Sequence, residues 1–263
     1  MDLRSILTPW QHRRASPRLA PPKHSPPKRR YFPPREDVTT HISSWIDLGV
    51  EPDINEALQD RGIASPFPVQ QLTIPDALAG RDVCGKAKTG SGKTFAFGIP
   101  IVQNLKADPD RREPVALALV PTRELAVQVT EELAPLAEAR GLRILSIYGG
   151  ANMDRQIEAL KKGIDIIVAT PGRMIDLLDR GEFTVANLEI VVIDEADRMA
   201  DMGFLPQVEW ILRKVDGTHQ TLLFSATLDG VVSSLIQRYQ TEPVMHEVES
   251  AEITVEEMTH RFL

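Results

Sequence analysis

The 263-residue sequence contains a single cysteine, Cys84. That excludes intramolecular disulfides and any cysteine-based zinc cluster within it, and the usage fits a reducing, cytoplasmic compartment. No apolar run approaches the roughly 18 residues that a membrane span requires, so no membrane partner is expected. The N-terminus is basic but lacks an apolar h-region, which argues against a secretory signal. No internal repeat is visible. What is present is ordinary for a soluble globular chain, with 42% hydrophobic and 25% charged residues. That is enough apolar material for a sizeable core needing neither staples nor a structural metal.

The net charge of −7 hides a division. Residues 1–36 hold nine Lys/Arg against only Asp2 and Glu36, leaving 21 basic and 35 acidic residues in the remainder. An acidic body binds nucleic acid only through a local surface, not through a global field. The leading segment is rich in Pro and Arg, as in Pro26-Pro27-Lys28-Arg29-Arg30. It has too little apolar surface to offset its ordering entropy, so residues 1–40 are expected to form a disordered tail. Two readings stay open for it, a solvated leader and an auxiliary RNA or ribosome contact. Its prolines oppose the amphipathic helix of a mitochondrial presequence.

From about Trp45 short apolar runs alternate with stretches of helical period. Segments 82–85, 115–120, 143–148, 165–169, 190–193 and 221–224 predict buried strands. Segments 123–140, 154–161, 173–180, 205–215 and 231–240 predict helices. Such alternation argues for one α/β domain over 41–263, with a mainly parallel sheet covered by helices on both faces. Runs such as Ala116-Leu117-Ala118-Leu119 and Ile190-Val191-Val192-Ile193 are apolar throughout, as a doubly covered sheet demands.

The segment Ala87-Lys88-Thr89-Gly90-Ser91-Gly92-Lys93-Thr94 follows the first strand and precedes an apolar stretch. Gly90 and Gly92 let the backbone turn successive N–H groups toward phosphate oxygens, and a helix starting near Gly92 aims its positive end at the same place. Lys93 is expected to pair with the β/γ-phosphates of ATP, and the Thr94 hydroxyl to ligate Mg²⁺. The generic pattern has Gly where Ala87 stands. After the strand ending at Ile193 come Asp194-Glu195-Ala196-Asp197. Acids at the carboxyl end of a parallel strand sit where such sheets bind ligands. Asp194 is expected to hold Mg²⁺ through water. Glu195 is placed to orient or deprotonate the attacking water. Taken alone, the same acids also suit helix capping.

These segments, with Pro121-Thr122-Arg123-Glu124-Leu125-Ala126, Gly149-Gly150, Thr170-Pro171-Gly172-Arg173 and Ser225-Ala226-Thr227, stand in the order of one family. From Trp45 onward the chain resembles the DEAD-box ATP-dependent RNA helicases. The resemblance implies a RecA-like P-loop NTPase domain, the N-terminal of two such domains. Pro66-Phe67-Pro68-Val69-Gln70 is similar to the Q motif, placed at 45–71, with Gly62 and Trp45 in register. It implies that Gln70 reads the adenine edge while Trp45 helps cover the base. Two departures are that Phe67 replaces the usual Thr or Ser, and Trp45 the usual Phe. A third, Ala200 for Leu, is expected to alter packing alone.

By the same resemblance Thr122, Arg123, Gly149, Gly150, Thr170, Gly172 and Arg173 line an RNA path. Backbone N–H groups, hydroxyls and helix N-termini there would contact phosphates without reading bases, and 2′-hydroxyls would distinguish RNA from DNA. Pro121-Thr122 and Thr170-Pro171 also suit ordinary capped turns. Ser225 and Thr227 are expected to hydrogen-bond the Asp197 carboxylate and couple nucleotide state to strand separation. The second RecA-like domain, with its HRxGRxGR-type arginine fingers, is absent from the 263 residues, and an interdomain linker is expected to begin about where they stop, after Glu242-Pro243 and the acidic stretch 247–257. The chain alone is therefore expected to bind nucleotide, hydrolyse it slowly and not unwind RNA. The alternative is a non-catalytic module that associates with RNA or a partner according to its nucleotide state.

Overall fold

A computed structural model describes residues 44–248. The tail expected at 1–40 and most of the acidic stretch 247–257 lie outside the described residues.

Seven strands alternate with helices: α1 (Pro52–Asp60), α2 (Pro68–Leu78), β1 (Val83–Lys86), α3 (Lys93–Asn104), β2 (Ala116–Leu119) and α4 (Arg123–Ala139). Then follow β3 (Ile144–Ile147), α5 (Met153–Lys161), β4 (Ile166–Ala169), α6 (Pro171–Asp179), β5 (Ile190–Ile193) and α7 (Ala196–Asp201). The described chain ends with α8 (Leu205–Leu212), β6 (Gln220–Ser225), α9 (Gly230–Tyr239) and β7 (Val244–Glu247). The strands form one parallel sheet in the order β3-β4-β2-β5-β6-β1-β7.

The period-2 alternation of a strand sorts its apolar residues between the two faces. Ala116, Ala118, Ile166, Val168, Val192, Leu222 and Phe224 pack toward helices α1–α4. Leu117, Leu119, Ile167, Ala169, Val191, Ile193 and Leu223 pack toward α5–α9. Two glycines permit close contact on the first face. A Cβ on Gly85 would lie 2.6 Å from the Phe224 ring, and one on Gly98 would lie 2.1 Å from Leu133 Cδ2.

Six strands fall within two residues of the segments expected from sequence, and all five expected helices form. The strand β7 was not anticipated. It is a four-residue edge strand with only alternate residues partly covered, held beside β1 by parallel pairing and by the Lys86–Glu247 ion pair. Helices α1 and α2 were not anticipated either. Each starts with proline at its first position, where the missing N–H costs nothing. Pro75 inside α2 argues against a helix locally. Burial of Val69, Ile74 and Ala77 in the core outweighs that penalty.

Candidate functional site

The strand order decides where the motifs meet. β1, β6 and β5 are neighbours, so the loops leaving β1 and β5 open at the same sheet edge, with Ser225 at the end of β6 between them. β1 delivers residues 87–92. Ala87 N–H donates to Ser225 O at 2.9 Å, which continues the β1–β6 ladder into the loop. Gly90 and Gly92 take φ of 82° and 88°, the left-handed region that only glycine enters cheaply. Lys93 is the first residue of α3. Its side chain is buried and its Nζ donates to Ala87 O at 3.2 Å, folding it back across the loop. Ser91 Oγ is buried without a hydrogen-bond partner. An orphaned hydroxyl in a glycine-rich turn ahead of a helix N-terminus is what an anion ligand would satisfy, so the residues fit a bound phosphate.

β5 delivers Asp194 and Glu195, both buried. Burial pushes the Asp194 carboxyl up to about 6, against the pull of the nearby Lys93 charge. Asp194 Oδ1 accepts a 2.9 Å bond from Glu195 N–H. Glu195 has φ 52° and ψ 50°, a left-handed backbone in a residue that is not glycine. Such strain is kept only where surrounding contacts over-determine it. Here they do: Oε1 accepts from Thr89 Oγ1 at 2.9 Å, and Oε2 pairs with Arg198 Nη1 at 3.1 Å. Neither Thr89 nor Arg198 stood out as a partner of Glu195 in the sequence, because the first contact spans the sheet. Among the described residues no cluster of three or more His, Cys, Asp or Glu exists to hold a metal by itself. A Mg²⁺ ion beside Thr94 and Asp194 would take its other oxygens from phosphate and water.

The adenine-reading residues expected from sequence sit behind the phosphate loop. Gln70 is fully buried; its Oε1 accepts from Phe67 N–H at 2.6 Å and its Nε2 donates to Gly92 O at 2.8 Å. One donor and one acceptor valence of the amide are thereby used within the protein, leaving one of each. Phe67, more than half exposed, lies against Gly92: a Cβ there would fall 2.7 Å from Phe67 Cδ2 and 2.6 Å from Gln70 Nε2. Where the related motif offers a hydroxyl to the loop, this chain offers an aromatic face. Trp45 is wholly buried and its Nε1 donates to Ile63 O at 3.0 Å. With no exposed face, whatever cover it gives a base is through the Ile63 segment behind which it packs.

The remaining motifs gather over β3, β4 and β2, the other half of the sheet. Thr122 caps α4 by accepting from Leu125 N–H at 3.2 Å, and Arg123 beside it is exposed. Gly149 and Gly150 are exposed after β3, with Gly150 at φ 87°. Thr170 stands at the N-cap of α6 and makes no side-chain cap bond, while Gly172 is exposed. Arg173, expected as added charge on the path, is only 11% exposed and spends its Nη1 on Ala151 O and Gln156 Oε1. The expected link between Asp197 and Ser225 forms through other atoms. Ser225 Oγ accepts from Asp197 N–H at 3.1 Å, and the Asp197 carboxylate accepts from Ala226 N–H at 3.2 Å. Thr227 is exposed and makes no hydrogen bond with Asp197 among the described residues.

Comparison with known proteins agrees with this geometry. The family model described as DEAD/DEAH box helicase matches residues 67–235. The DEAD-box ATP-dependent RNA helicase CshA of Bacillus cereus is 42% identical over 222 residues, covering 84% of this chain and 42% of that protein. CshA of Bacillus subtilis is 43% identical over 220 residues, 84% of this chain and 44% of its own length. The chain thus spans less than half the length of these relatives. Among solved structures, a DEAD box protein from Methanococcus jannaschii superposes with a TM-score of 0.74 at 35% identity, covering 79% of this chain and 56% of that one. The yeast DEAD-box splicing factor Prp28 gives 0.72 at 35% identity, covering 78% and 50%. A phosphate loop and an Asp-Glu-Ala-Asp turn meeting at one edge of an all-parallel sheet, together with these matches, establish that the chain belongs to the DEAD/DEAH box helicase family and carries its RecA-like domain.

Proposed function

We propose that the chain is the ATP-binding domain of an ATP-dependent RNA helicase, acting in a reducing, cytoplasmic setting. The observation that carries this is the meeting of Lys93, Asp194 and Glu195 at the ends of β1 and β5, with Glu195 held by the phosphate-loop residue Thr89. The 87–94 loop, from Ala87 and Lys88 through Ser91 to Thr94, would cradle the triphosphate, and Lys93 would offset its charge. Thr94, and Asp194 through water, would hold Mg²⁺, which supplies further charge neutralisation when bound. Glu195 is fixed to orient the attacking water and accept its proton. The remaining donor and acceptor of Gln70 match an adenine edge, and because the side chain is fully buried a base would reach it only after local opening. The surface over β2, β3 and β4 would hold RNA by its backbone. In a complete enzyme a second RecA-like domain would close over both sites, coupling hydrolysis to local duplex opening. The 263 residues contain no HRxGRxGR-type motif, so this chain alone would turn over ATP very slowly.

Calorimetric titration with adenosine and guanosine nucleotides, with and without Mg²⁺, tests the reading. Lys93→Ala is expected to abolish binding and Gln70→Ala to remove the preference for adenine. Unchanged affinity in the first variant overturns the nucleotide site, and robust RNA-stimulated ATPase in the parent chain overturns the low activity.

A further inference from the structure

Arg173 and Gln156 grip the two ends of the glycine turn after β3. Gln156 is buried, and its Nε2 donates to Tyr148 O at 3.3 Å, just before Gly149. Its Oε1 accepts from Arg173 Nη1 at 3.0 Å, and the same nitrogen donates to Ala151 O at 3.2 Å, just after Gly150. Arg173 Nε is buried without a hydrogen-bond partner, with Asp176 Oδ2 only at 4.0 Å. The guanidinium is therefore largely buried, with its Nη1 committed to the two ends of the turn. Gly150 stands at φ 87°, and a Cβ there would lie 3.8 Å from Arg123 Nη1, so the braced turn borders an exposed arginine.

We propose that Arg173 and Gln156 are positioning residues that fix the Tyr148–Ala151 turn in the shape that receives an RNA backbone, Arg173 acting through Ala151 and Gln156 and not by its own charge. This rests on the reading of the β2–β3–β4 edge as an RNA surface. Arginine at 173 is then required for its reach: a lysine keeps the charge, but its ammonium ends one atom short of the Nη1 that bonds both acceptors. Gln156 is required although it is buried.

The test is fluorescence anisotropy of the 263-residue chain with a labelled single-stranded oligouridylate over a series of KCl concentrations. It is paired with hydrogen exchange of the 148–152 amides, for the parent, Arg173→Lys, Arg173→Gln and the volume-matched Gln156→Met. Arg173→Lys and Gln156→Met should each weaken RNA binding about 5-fold or more, the size of one lost hydrogen bond. Both should leave the slope of log affinity against log salt unchanged and speed exchange in the turn. Parental affinity in Arg173→Lys, with Arg173→Gln losing affinity and roughly 0.7 of slope, signals a direct phosphate contact and overturns the proposal. Unchanged affinity and exchange in Gln156→Met overturn it as well. If the parent itself shows no RNA binding, the RNA-surface reading fails and takes the proposal with it, an outcome visible before any variant is compared.

Discussion

The Thr89 hydroxyl donates a 2.9 Å hydrogen bond to Glu195 Oε1, joining the phosphate loop to the β5 acids across 106 positions of sequence. Thr89→Val keeps the side-chain shape and removes that donor. We expect a loss of about 1 kcal/mol, because the bond is only partly buried. That corresponds to a fall in melting temperature of roughly 2–4 °C for a chain of this size. An unchanged melting temperature would show that the contact does not hold the ligand-free loop.

Glu195 sits in the left-handed region at φ 52°. Glu195→Ala and Glu195→Gly both delete the carboxylate and its bonds to Thr89 and Arg198. Only glycine also relieves the backbone, so Glu195→Gly should be the more stable of the two by about 1 kcal/mol. This reverses the usual preference for alanine. Urea unfolding of the two variants measures the difference, and greater stability of the alanine form refutes the strain.

Gly92 cannot take a side chain without displacing Gln70 Nε2 and Phe67 Cδ2, and its φ of 88° adds strain. Gly92→Ala is expected to cost about 2 kcal/mol and to abolish binding of adenosine nucleotides in calorimetry. Combining it with Phe67→Ala should recover part of the stability, since one of the two contacts then disappears. Strict additivity in the double variant would mean that the Phe67 ring does not press on the loop.

Asp165 anchors the far end of the sheet. Its carboxylate, 1% exposed, accepts from Arg143 Nε and N–H at 2.8 Å and from Arg111 Nη1 at 3.1 Å. Burial raises its pKa, but the bonds from Arg143 and Arg111 outweigh burial, and the net direction is downward. A folded pKa below the unfolded value near 3.9 gives stability that is present above about pH 4 and is lost as pH falls through the folded pKa. Asp165→Asn should therefore cost about 2 kcal/mol at pH 7, with Arg143 partly open to water. The gap from the parent should close below about pH 4. Denaturant titrations at pH 7, 5, 4 and 3 check this, and a gap that widens in acid contradicts the sign.

The candidate site was legible where the chemistry expected of it is local. Gly90-Ser91-Gly92-Lys93-Thr94 and Asp194-Glu195-Ala196-Asp197 announce a glycine-rich turn and an acidic strand end because the role proposed for each lies in the backbone bend and side chains of a few adjacent residues. The sheet was legible too, since doubly covered strands must be apolar on both faces, as Ala116–Leu119 and Ile190–Ile193 are. Helix α2 and the edge strand β7 were not, because the interior Pro75 and weak patterning are overruled there by packing against distant elements. The short helix α1 does carry local signals of its own, Pro52 at its start and an apolar stripe through Ile54 and Leu58.

Sequence by itself determined the class of fold and the places of the glycine-rich loop and the acids at strand ends, since each follows from the order and local propensities of the chain. Only the tertiary structure decided which atoms meet: Thr89 with Glu195, Phe67 with Gly92, Ser225 with the Asp197 amide, and Arg173 turned inward to Gln156. The physical reason is the strand order, which makes neighbours of β1, β6 and β5 although they are far apart along the chain. Contacts made across a sheet depend on register and on side-chain direction, and neither is written in the spacing of any one motif.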